Sequence, residues 1–121
     1  MESFDIRAFT YVQRYGLLPE LTGAFTRCGA WVLGRKTVSA TNMEFRVEIQ
    51  LRAVVDLYAA ILSTGVELTR SGHETLTELC TRRKHRRITT DLGRVVAIRL
   101  ELTFLDDITA HALLGAGSAL A

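Results

Sequence analysis

Apolar residues in this chain change their spacing sharply and repeatedly, and that succession of periods constrains the fold more than any single motif does. Phe4, Ile6 and Ala8 alternate with Asp5 and Arg7 as in a half-buried strand, with Phe9 and Tyr11 falling on the opposite face. Leu18, Leu21, Phe25 and Cys28 then recur at helical spacing, and Gly29 with Ala30 supplies a stop. Pro19, the chain's sole proline, suits a first helical turn just after Gly16, so a helix is expected from Leu17 to about Gly29.

The alternation resumes in a β-rich run from Trp31 to Ser39. It continues from Met43 to Leu51, where Phe45, Val47, Ile49 and Leu51 oppose Glu44, Arg46, Glu48 and Gln50. Ala40-Thr41-Asn42 between them suits a hairpin. From Arg52 to Thr64 the period is helical again, with Val54, Val55, Tyr58, Ile61 and Leu62 on one face and Gly65 as an exit; Val66 to Arg70 is a short strand. Ser71 and Glu74 have capping-box spacing ahead of a third helix through Leu76, Leu79 and Cys80. A turn around Asp91-Leu92-Gly93 precedes Val96, Ile98, Leu100, Leu102 and Phe104, the strongest strand signal present. Asp106-Asp107 can cap a last helical piece, Ile108 to Leu114, before a glycine-rich end.

The order is β-α-β-β-α-β followed by α-β-α. The first six elements match a ferredoxin-like α+β sandwich, an antiparallel sheet with its helices on one face. At 121 residues a single domain spanning 1–121 is expected, with a βαββαβ core over 4–70 and an extension over 71–121. Acids at Glu2 and Asp5 replace the basic segment of a signal peptide, and apolar runs fall short of the roughly 18 residues of a membrane span, so a cytoplasmic, membrane-free protein is expected. Two distant cysteines, Cys28 and Cys80, form neither a disulfide framework nor a zinc motif.

Gln13-Arg14-Tyr15-Gly16-Leu17-Leu18 resembles the turn of ACT domains, which place Asp-Arg-Pro-Gly-Val/Leu-Leu between their first strand and first helix. Arg14, Gly16, Leu17 and Leu18 match; Gln13 and Tyr15 stand where that family has Asp and Pro. The likeness covers about residues 4–70. It implies a βαββαβ module that binds an amino acid or related metabolite at a subunit interface, pairs through its sheet as a homodimer, and places Gly16 at the ligand turn with Arg14 and Leu17 flanking it. The residues alone also allow a plain tight turn there.

Arg82-Arg83-Lys84-His85-Arg86-Arg87 holds five of the 15 basic residues, leaving 10 bases against 13 acids elsewhere, a balance of −3. Any attraction to a polyanion therefore rests on Arg82, Arg83, Lys84, Arg86 and Arg87. They make nucleic-acid binding the alternative function, set against a solvated helix end. His73, His85 and His111 lack metal-ligand spacing, and no dinucleotide or phosphate-loop motif occurs, so no metal, cofactor or catalytic set is expected.

Overall fold

The computed structural model describes residues 1–85 and 92–106, the side chains of 83–85 excepted. Strand β1 (Ser3–Thr10) is followed by helix α1 (Arg14–Arg27), the hairpin β2 (Trp31–Thr37) and β3 (Asn42–Gln50), and a short 3₁₀ turn, Leu51–Ala53. Helix α2 (Val54–Ser63), strand β4 (Val66–Leu68), helix α3 (Arg70–His85) and strand β5 (Val95–Phe104) complete an α+β fold. The expected helix Ile108–Leu114 lies outside the described residues.

The five strands form one open sheet in the order β2-β3-β5-β1-β4. The sheet is mixed, which corrects the expectation of an antiparallel one: β5 runs parallel to β1 over Ser3↔Ala97 to Thr10↔Phe104 and antiparallel to β3 over Asn42↔Thr103 to Gln50↔Val95. The strand expected in an appended segment therefore lies between β1 and β3. Alternation fixed which of its residues face inward but carried no information about its neighbours, because parallel and antiparallel strands share the period of two.

Ile6 and Ala8 of β1, Phe45, Val47 and Ile49 of β3, and Val96, Ile98, Leu100, Leu102 and Phe104 of β5 form one buried sheet face. Leu17, Leu21 and Phe25 of α1, Leu57 and Ile61 of α2, and Leu76 and Leu79 of α3 cover it. In α2 the buried face is Val54, Leu57 and Ile61, while Val55 and Leu62, expected inside, are exposed. The expected set mixed two adjacent helical stripes, and Leu57 is the residue that separates them. Helix α1 begins three residues earlier than expected, so Gly16 lies inside its first turn and Pro19 is its sixth residue. Helix α3 is capped by Thr69 rather than Ser71, its Oγ1 accepting from the Gly72 N–H at 3.2 Å.

Gly29 and Gly65 end α1 and α2 with φ of 77° and 93°. At Gly65 a Cβ would also lie 2.8 Å from Cγ2 of Val12. Gly65→Ala is expected to cost about 1–3 kcal/mol in urea unfolding through the left-handed backbone and that contact. An unchanged midpoint would refute this account.

The position of β5 yields a second expectation. Its five inward residues contribute roughly 1.5–3 kcal/mol each on burial, together comparable with an ordinary domain's whole stability. A chain ending at Arg94 should therefore lack cooperative thermal unfolding by circular dichroism. A cooperative melt of residues 1–94 would show that β5 is a dispensable addition.

Candidate functional site

The turn between β1 and α1 separates its three sequence-predicted residues into different environments. Leu17 is fully buried in the core, and its N–H bonds to Gln13 O at 3.0 Å. Arg14 reaches away from the helix axis: Nη2 donates to Ala40 O in the β2–β3 turn at 3.0 Å, and the guanidinium lies 4.6 Å from the ring centroid of Phe104. It thereby braces α1 against the hairpin and the end of β5.

Gly16 is exposed, its N–H bonds to Gln13 O at 3.1 Å, and nothing lies within 4 Å of the position a Cβ would take. Its φ is not positive. The fold thus imposes no need for glycine here. Gln13 at the N-cap makes no side-chain capping bond, and no acid occupies the first turn of α1. That helix end therefore carries a partial positive charge without an acidic side chain of its own to offset it.

The sheet face that no described helix covers, here called the uncovered face, is a lattice of charges. Lys36, Glu44, Glu101 and Arg7 align in one row across four strands, with Arg46, Arg99 and Asp5 in the next. Glu44 is only 5% exposed. Its carboxylate lies 3.3 Å from Lys36 Nζ, 3.2 Å from Arg99 Nε and 3.9 Å from Arg46 Nε, and its Oε2 has no hydrogen-bond partner. Arg99 Nε also donates to Asp5 Oδ1 at 2.9 Å, and its guanidinium is held protonated above the usual range, chiefly by that bond. At one end of this face Phe9 and Tyr11 meet edge to face, with centroids 6.3 Å apart. Phe9 lines a recess of about 490 Å³ together with Arg7, Asn42, Glu101 and Thr103.

Of the basic cluster, Arg82 is committed within the fold. It donates from Nη1 to Glu2 Oε2 at 2.7 Å and from Nη2 to Glu78 Oε1 at 2.8 Å, which raises its pKa above the ordinary arginine value. Its guanidinium also lies 5.4 Å from the ring centroid of Phe4. Arg83 and Lys84 fall in the last turn of α3. Arg86 and Arg87 lie outside the described residues.

Cys28 follows α1, half-buried, its thiol pKa raised by burial first and by the Asp56 carboxylate second. The Tyr58 hydroxyl is hydrogen-bonded to Nδ1 of His73, joining α2 to α3. Among the described residues no group of three or more His, Cys, Asp or Glu could hold a metal ion, and no helix is long and apolar enough to cross a membrane. No family model, curated protein or solved structure matches the chain.

Sequence reasoning singled out Arg14 but not its role, because both its acceptor and its aromatic partner are remote in sequence. Glu44 gave no signal beyond its place in an alternating strand. Arg14→Ala is expected to lower stability by about 1–3 kcal/mol, combining a lost hydrogen bond with a lost cation–π contact. An equilibrium urea titration reads this, and a change under 0.3 kcal/mol would remove Arg14 as a brace.

Proposed function

We infer that this chain is a small-molecule-binding regulatory module of ACT-like, ferredoxin-type build that acts as a homodimer. An amino acid or related metabolite is held beside Gly16, the residue of the turn that Arg14 and Leu17 flank in the chain. The observation that carries this reading is the open space at Gly16. A glycine inside a helix costs about 0.5–1 kcal/mol relative to alanine, and here it meets neither a positive φ nor a steric need. Its missing side chain leaves room beside the first turn for an anionic group such as a carboxylate. Such a group is drawn by the partial charge of the helix end, because the Gly16 and Leu17 N–H groups are themselves bonded to Gln13 O.

The strand order gives separate support. With β5 set aside, the remaining strands run β2-β3-β1-β4, the order of a ferredoxin-like sheet. The long strand β2, which among the described residues pairs only with β3, supports association of two copies.

Thermal denaturation in the presence of each of the twenty amino acids at millimolar concentration tests the reading. A binder present at 100 times its Kd adds about 2.7 kcal/mol of stability, a readily measured rise in Tm. Gly16→Ala is expected to leave the unliganded Tm unchanged or slightly higher and to abolish the rise. No rise with any amino acid, or a rise that survives Gly16→Ala, would overturn the assignment.

A further inference from the structure

Neighbouring rows of the uncovered face are not balanced alike. In one row Lys36 of β2 stands beside Glu44 of β3, cation against anion. In the next, Arg46 of β3 faces Arg99 of β5, like against like, and its neighbour on β2 is Gly34, which supplies no counter-charge. Arg99 has Asp5 at 2.9 Å, whereas Arg46 reaches Glu44 only at 3.9 Å. Arg46 is thus the less neutralised of the two guanidinium groups.

It also stands beside open space. Nothing lies within 4 Å of the position a Gly34 Cβ would take, and a recess of about 300 Å³ is lined there by Leu33, Gly34, Arg35, Lys36, Glu44 and Arg46. Three cations against one carboxylate leave an excess of two positive charges. That carboxylate is the buried one, with Lys36 Nζ at 3.3 Å, so the cations are gathered around it in the unliganded fold. A second recess of about 420 Å³ shares Leu33 and Arg46 with the first. Ser3 and Ala97, opposite each other in the sheet, hollow the face there by their small size, and the exposed Leu33 borders both spaces.

We propose that these joined recesses bind a small phosphate monoester, its phosphate group beside Gly34 between Arg46 and Lys36 and its short apolar body along Leu33 over Ala97. A phosphate monoester carries about −1.5 to −2 charge at neutral pH and so matches the excess of two, which a carboxylate would only half offset. Arginine's planar fork suits phosphate oxygens, and the ligand would relieve the Arg46–Arg99 repulsion that Gly34 leaves in place. The two recesses share no lining residue with the first turn of α1, so the site is independent of the one inferred at Gly16.

Titration of the full chain with phenyl phosphate, followed by amide chemical shifts in NMR, tests both place and chemistry. The shifts should centre on Gly34, Arg46 and Ala97, with inorganic phosphate binding more weakly than phenyl phosphate and benzoate more weakly still. Arg46→Gln is expected to raise Kd by about tenfold or more, and Gly34→Glu, which sets a carboxylate beside Arg46, to abolish binding. Gly16→Ala should leave Kd unchanged. Circular dichroism establishes that the variants remain folded. No shift at millimolar phenyl phosphate, shifts confined to other residues, or a Kd indifferent to both Arg46→Gln and Gly34→Glu would overturn the site. Benzoate binding as tightly as phenyl phosphate would overturn the phosphate class, and inorganic phosphate binding as tightly would overturn the part given to Leu33 and Ala97.

Discussion

The structure depends on β5 pairing on both sides at once, parallel with β1 and antiparallel with β3. Central strands are commonly laid down between neighbours close in sequence, but this one is supplied by the last described element and closes a gap between residues 3–10 and 42–50. Five of its residues complete the inward face, and Phe104 at its end gives Arg14 a ring to rest on. Folding therefore requires contacts between the two ends of the described chain, including the salt bridge that ties Arg94 to Glu2. Such long-range closure costs chain entropy before it returns buried area, so β1, β3 and β5 are expected to form late and together.

The same insertion creates an electrostatic problem on the uncovered face. Pairing β5 with β3 sets Glu101 opposite Glu44 and Arg99 opposite Arg46, like against like, an arrangement that is unfavourable in isolation. The outer neighbours offset it, Lys36 of β2 beside Glu44, and Arg7 and Asp5 of β1 beside Glu101 and Arg99. Most of these pairs are solvent-exposed and contribute up to about 1 kcal/mol each. Glu44 differs, because its carboxylate is shielded by the long side chains around it and would be costly to leave alone. With its middle rows thus engaged, this face offers little apolar area to another molecule, and the exposed apolar residues of β2 lie at the rim instead.

Much of this arrangement was legible from spacing alone. The inward faces of β1, β3 and β5 follow their alternation, and Gly29 and Gly65 end helices because a left-handed residue is needed at each exit. The start of α1 was not legible, since Gly16 and Pro19 both read as turn residues although a helix accommodates each within its first two turns. The stripe of α2 was shifted because Val54 and Val55 are equivalent as letters, and only packing against the sheet selects Val54. The place of β5 was hidden for a deeper reason. Local periodicity reports how a strand is buried, whereas its neighbours are chosen by contacts tens of residues away.

The first turn of α1 illustrates how one short motif divides into separate physical tasks. Leu17 is spent on the core and Arg14 on bracing the hairpin, so neither side chain can serve another molecule without first giving up a contact that holds the fold. Gly16, like the exposed Tyr15 beside it, has no such obligation. A helical glycine in open space lowers stability slightly and contributes no contact of its own, so its effect on the fold is small and slightly unfavourable. The Arg14 brace, by contrast, ends on Ala40, in the turn that leads back from β2 to β3. Anything that drew Arg14 toward the Gly16 backbone would break that bond and leave the Ala40 carbonyl to find another donor.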